Sequence, residues 1–192
     1  PMAMSIDDAN EMIKVAKENN VKLSVAHQNR FNKPVQKLRE AVEGDKFGRI
    51  MNGTARILWR RDDNYYKQAP WRGTWDLDGG TLMNQCIHNI DLLQWMIGSE
   101  VERVYAEADT FRNPIEGEDF GAIVIRFKNG AIGIVEGSAV VYPKNLEETL
   151  SIFGTEGTVV IGGLAVNELK TWRFDGEDEE AAKSDLQVKI DS

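Results

Sequence analysis

The chain is 192 residues long, 42% hydrophobic, 28% charged and 8% aromatic, and its 23 basic against 31 acidic side chains leave a formal net charge of −8. That length holds one full domain, or one domain and a piece of another, and excludes three large ones. An acidic balance excludes a nucleic-acid backbone as partner, one cysteine excludes an internal disulfide, and no apolar run approaches the ~18 residues that cross a bilayer.

Pro1-Met2-Ala3-Met4 has neither the basic start nor the apolar stretch of a signal peptide, so the expected compartment is the cytoplasm. Ser5 followed by Asp8 reads as a helix start, and Ile6, Ala9, Met12, Ile13 and Ala16 recur at helical spacing, which predicts a helix over about 5–19. Residues 21–26 alternate apolar and polar as a strand does and lead into His27-Gln28-Asn29-Arg30. Proline in Asn32-Lys33-Pro34 opens a second helix, striped by Val35, Leu38, Ala41 and Val42 and stopped at Gly44. Alternation over 50–59 predicts a strand, and a long aromatic and charged loop follows over 60–78.

Asp78 is placed to cap a helix from Gly80 to Ile97, with Gly98 just past its end. Beyond it, strands are predicted over 101–110, 120–127, 131–141, 149–153 and 158–161, with Asn129-Gly130 as a tight hairpin turn. This is a meander. The acidic stretch 175–180 reads as a solvated loop or tail. The predicted class is therefore α+β, a largely antiparallel open sheet with helices on one face.

At 100° per residue the helix over 80–97 gathers Leu82, Cys86, Ile90, Leu93 and Ile97 on one side and Asn84, His88 and Asp91 on the other. A histidine with a carboxamide one turn before it and a carboxylate one turn after can be held in one tautomer as a general acid or base. The plainer alternative is a hydrogen-bonded helix histidine. Loop residues Tyr65, Tyr66, Trp71 and Arg72 suit an anionic, ring-bearing ligand, and equally suit an oligomer interface. Arg30 closes the first strand either as a ligand contact or as a salt-bridge partner between domains. Cys86 reads as a packed thiol and His27 as a strand-end hydrogen-bonding residue. With two histidines and no third ligand at a diagnostic spacing, no metal is expected. Neither G-x-G-x-x-G nor G-x-x-x-x-G-K-[ST] occurs, so the chain carries no nucleotide cradle of its own.

Four stretches together resemble the Gfo/Idh/MocA family of NAD(P)-dependent sugar oxidoreductases: Pro1-Met2-Ala3-Met4 with its helix, Asn29-Arg30-Phe31 leading into Phe47-Gly48-Arg49-Ile50, the run Gly79–Leu93, and Gly154-Thr155-Glu156-Gly157-Thr158. In that family a dinucleotide-binding domain comes first and ends in a Glu-Lys-Pro motif whose lysine is catalytic. Pro1 matches that proline. The resemblance implies that residues 1–29, with Gln28 and Asn29 toward the cofactor, are the last helix and strand of that domain. Residues 30–192 would be the substrate-binding and oligomerisation domain, and Ser192 need not be its natural end.

The family's Asp-x-Gly-x-His pattern falls on Asn84–His88, which transfers the catalytic role to His88 and leaves Asn84, where the family has an acid, to position the substrate. The implied activity is hydride transfer between a hydroxyl of a sugar or nucleotide sugar and NAD or NADP, with closest likeness to the branch acting on nucleotide-linked amino sugars. Tyr65, Tyr66, Trp71, Arg72, Asp91 and Arg30 would hold the substrate, and a homo-oligomer, dimer or tetramer, would form through the sheet. The competing reading is a non-catalytic sheet domain for oligomerisation or sugar binding.

Overall fold

The computed structural model describes residues 2–188; the motif proline Pro1 and residues 189–192 lie outside the described residues. Helix α1 spans Ile6–Glu18, capped as its sequence predicts by Ser5, whose hydroxyl accepts from the Asp8 amide at 3.0 Å. Residues 21–27 then form no strand. A strand exists only through the ladder bonds of a neighbour, and no strand among the described residues lies beside this segment. Its Val21, Leu23 and Val25 stay exposed.

A 3-10 turn over Gln28–Phe31 leads into α2 (Lys33–Glu43), which begins on the Pro34 signal and is capped at Gly44. Strand β1 (Ile50–Leu58) follows. The predicted loop over 60–78 contains a short helix, α3 (Asp63–Lys67), because the Asp62 carboxylate accepts from the Tyr65 amide at 3.1 Å. The helix expected over 80–97 is two helices, α4 (Thr81–Asn84) and α5 (Ile87–Ile97). At the break the Cys86 amide reaches back five residues to the Thr81 carbonyl, a widened turn of the π type. Gly98 ends α5 in the left-handed region, at φ 65°, as its place in the sequence implies.

Strands β2 (Val101–Asp109), β3 (Phe120–Phe127), β4 (Ile132–Ser138), β5 (Glu147–Gly154) and β6 (Gly157–Gly162) match the predicted ones to within a few residues. The acidic tail instead leads out of a further strand, β7 (Glu168–Phe174), into α6 (Glu179–Val188). The sheet has seven strands in the order β2-β3-β4-β1-β5-β6-β7. Every pair is antiparallel except β1 with β4. The class is therefore α+β with a largely antiparallel open sheet, as expected, but the meander is interrupted. The chain crosses from β1 through α3–α5 before β2 forms, and β1 ends in the middle, parallel to β4 and antiparallel to β5.

Helices α4, α5, α2 and α6 cover one face. Phe47, Phe127, Leu92, Leu93, Met96 and Ile152 form the core between the layers. The closeness of α4 and α5 depends on glycine in the strands beneath. A Cβ at Gly53 would stand 2.7 Å from Leu93 Cδ1, and one at Gly121 would stand 2.7 Å from Leu82 Cδ1. On the opposite face Tyr105, Val124 and Ile134 stay exposed.

Candidate active site

Where residues 2–27 meet α4 and α5, a cleft of about 480 Å³ opens. Met2, Ala3, Met4, Val25, Ala26 and His27 form one wall; Leu77, Asp78, Met83, Asn84, Ile87 and His88 form the other. Apolar side chains line it together with the polar His27, Asp78, Asn84 and His88, a mixture that suits a ring-shaped ligand bearing hydroxyls.

His88 stands in the first turn of α5, half-buried, with its Nδ1 buried and unpartnered. Its predicted neighbours do not hold it. The widened turn at Gln85-Cys86 takes Asn84 out of register with His88, and the Asn84 carboxamide is engaged elsewhere: its Nδ2 donates to Asp78 and its Oδ1 accepts from Gln85 Nε2 at 2.7 Å. Asp91 takes a two-pronged ion pair from Arg30, Nε to Oδ2 at 2.7 Å and Nη2 to Oδ1 at 2.5 Å. Of the two readings open for Arg30, the bridge between segments is formed. The group beside His88 is Gln28, with its Nε2 at 3.5 Å from His88 Nε2. His27 lies edge-on to the same ring, centroids 5.9 Å apart. Burial first, and then the like-charge neighbour His27, lower the His88 pKa, so the imidazole is neutral and can accept a proton at pH 7.

Asp78 was expected to cap the helix. The N-cap is Gly80, and the Asp78 carboxylate turns inward, accepting from the Gly73 amide at 2.6 Å and from Asn84. This ties the 60–78 loop to α4. From Asn84 the network runs on through Gln85 to the Tyr65 hydroxyl at 2.8 Å, which also accepts from Arg72 Nη1 at 2.6 Å. Arg61 Nη2 donates to Gln85 Oε1 at 2.9 Å. The Arg72 guanidinium lies over the Tyr65 ring at 4.3 Å and over the Trp71 ring at 4.6 Å, and its Nε is buried without a partner. Tyr65, Trp71, Arg72 and Asn84 are thus brought together. Tyr66 packs edge-on against Tyr65, and burial pushes its hydroxyl up to about 12.

Residues 35–160, well over half of the chain, match the family profile described as the GFO/IDH/MocA C-terminal domain. The chain belongs to the GFO/IDH/MocA family. Among curated relatives, myo-inositol 2-dehydrogenase of Thermotoga maritima is 27% identical over 166 residues, covering 83% of this chain and 46% of that protein. The solved WlbA dehydrogenase of Chromobacterium violaceum, in complex with NADH and UDP-GlcNAcA, is 40% identical with a TM-score of 0.91, over 98% of this chain and 55% of that one. The WlbA dehydrogenase of Bordetella pertussis, with the same ligands, is 39% identical with a TM-score of 0.91, over 100% of this chain and 56% of that one. The chain thus spans about half the length of the relatives it matches.

Four further polar residues of this GFO/IDH/MocA chain are placed where sequence reasoning gave them no site role. Asp78 and Gln85 carry the network just described, and His27 flanks the cleft. Glu148 on β5 is fully buried and accepts from Asn29 Nδ2 at 3.1 Å, which turns Asn29 away from the cleft and toward the sheet. A short polar residue before Gly79-Gly80 was the only sequence signal, and it was equally a helix cap.

Proposed function

We propose that the chain is the substrate-binding part of an NAD(P)-dependent dehydrogenase of a sugar or nucleotide sugar. Residues 1–29 close a dinucleotide-binding domain, and residues 30–192 form the substrate-binding and oligomerisation domain. The observation that carries this is the half-buried His88 on a cleft whose other wall is built from Met2–Met4 and Val25–His27. That cleft fits the nicotinamide end of the cofactor: Met2–Met4 and Val25–His27 offer an apolar wall to a flat ring.

The nicotinamide, when bound, supplies the hydride acceptor. Beside the family's catalytic lysine, this chain's residues act as follows. The His88 imidazole accepts the proton of the ring hydroxyl through its lone pair, and its low pKa keeps that lone pair free at neutral pH. Asn84, whose amide is fixed by Asp78 and Gln85, orients the sugar, and the pre-set geometry lowers the entropic cost of reaction. Arg72, set against Tyr65 and Trp71, faces the anionic part of the substrate, with Tyr66 supporting Tyr65. Arg30 and Asp91 act indirectly, by joining the 3-10 turn to α5. The nucleotide-linked amino sugar is favoured as substrate because the two WlbA structures hold UDP-GlcNAcA.

The test is an absorbance assay of nicotinamide reduction by the polypeptide that includes the dinucleotide-binding part, offered UDP-amino sugars, their uronates, inositol and free hexoses. Reduction with one nucleotide sugar is the expected result. Reduction with inositol or a free hexose alone overturns the nucleotide-sugar assignment, and reduction with none, in protein that binds NADH, overturns the enzyme reading.

A further inference from the structure

One strongly perturbed carboxylate of the described residues lies outside the cleft. Glu148 is 1% exposed, on the helix-covered face of the sheet, and no cation pairs with it. It is faced by Asn29 from the 3-10 turn, by Ile57 across the β1 register, by the Cys86 thiol of the α4–α5 turn, and by the backbone of Gly163, whose carbonyl accepts from the Glu148 amide at 2.8 Å. Among the described residues, only Asn29 gives the carboxylate a hydrogen bond. A buried carboxylate with a single neutral donor is costly, and an apolar residue of the same volume would fill the site at less expense.

What distinguishes the site is the segment that Asn29 belongs to. The 3-10 turn carries Gln28, at 3.5 Å from His88, and Arg30, paired with Asp91, and it is preceded by His27 beside the His88 ring. The Arg30–Asp91 pair fixes the turn to α5 from one side. Asn29–Glu148 fixes it to β5 from the other.

We propose that Glu148, acting through Asn29, is a positioning residue that seats the Gln28–Phe31 turn against His88. The carboxylate holds the turn from beneath, so that Gln28 and His27 stand where they set the protonation and orientation of the catalytic imidazole. The effect on turnover rests on the dehydrogenase reading; the seating of the turn does not. Burial, only partly offset by the Asn29 bond, raises the Glu148 pKa to about 7, so the seat is sensitive to pH in the range where His88 works.

The chain has two histidines, so the His88 ring can be followed by NMR titration in the full chain. Asn29→Ala and Glu148→Met release the turn, and the His88 midpoint is expected to rise by about half a unit as His27 withdraws and solvent enters. Glu148→Gln keeps an oxygen for Asn29 and should leave the midpoint in place. A folded Asn29→Ala variant, checked by circular dichroism, with an unchanged midpoint overturns the proposal. So does a Glu148→Gln variant that behaves as Glu148→Met does. If Glu148→Met fails to fold, Asn29→Ala decides alone, since it leaves the sheet untouched. The titration reads the turn whether or not the protein reduces nicotinamide.

Discussion

The ring of His27 stands edge-on to that of His88, with centroids 5.9 Å apart and planes at 78°, although the two come from segments far apart in sequence. A second imidazole so close disfavours the charged form of the first. Burial first, and this neighbour next, hold the His88 pKa below its ordinary value, so kcat/KM should fall on the acid side only below the usual imidazole range. Substituting His27 by Ala removes the like-charge neighbour and should move that midpoint upward, as read from a pH–rate profile. A downward or absent shift would show that His27 does not tune His88.

Arg30 and Asp91 make a two-pronged pair whose carboxylate is 14% and guanidinium 37% exposed. Removing one partner strands the other partly out of water. Arg30→Leu should cost about 2 kcal/mol, discounted for the solvent that reaches the arginine, and lower the melting temperature by roughly 4–8 °C. Asp91→Asn should cost less, because an amide still accepts one of the two bonds. Thermal unfolding of both variants checks the order.

Glu148 contributes in the opposite sense to a paired carboxylate. Its folded pKa, about 7, lies above the ordinary 4.5, so the folded state binds the proton more tightly than the unfolded one. Stability therefore falls as pH rises between about 4.5 and 7, by an amount on the order of 3 kcal/mol at most, and is level above that window. Glu148→Gln should flatten the decline. Urea unfolding at a series of pH values measures it, and an unchanged slope in the variant would assign the decline to other groups.

The face of the sheet that no helix covers presents Tyr105, Val124 and Ile134 to solvent. The oligomerisation proposed for this domain would use this face. Val124→Arg should weaken self-association by at least ~10-fold in sedimentation, since an unpaired charge is buried at the contact, while leaving the fold intact. An unchanged oligomer would locate the contact elsewhere.

Much of this architecture could be read locally. Pro34 and Gly44 bracket α2, Gly98 ends α5, and Asn129-Gly130 turns β3 into β4, with the Gly130 amide donating to the Phe127 carbonyl at 2.9 Å. Each signal is a backbone constraint carried by one or two residues. The central position of β1 was not legible, because parallel pairing with β4 depends on a crossover through α3–α5 rather than on any turn. The site divides in the same way. His88 and Asn84 stand out from their spacing and family pattern, and both line the cleft. Their actual partners, Gln28 and Asp78, are not helix neighbours, since one widened turn at Cys86 broke the periodicity that the expectation relied on. Glu148 gives no signal in sequence, where a glutamate next to Glu147 reads as a surface residue.

In the proposed mechanism His88 takes the proton while binding is left to other residues. This is tested by His88→Ala in the polypeptide that includes the dinucleotide-binding part, comparing nicotinamide reduction with equilibrium binding of the nucleotide sugar. The expected result is a fall in kcat of at least ~100-fold with substrate affinity held within a few-fold. Retained turnover, or a loss of affinity that accounts for the whole effect, would contradict it.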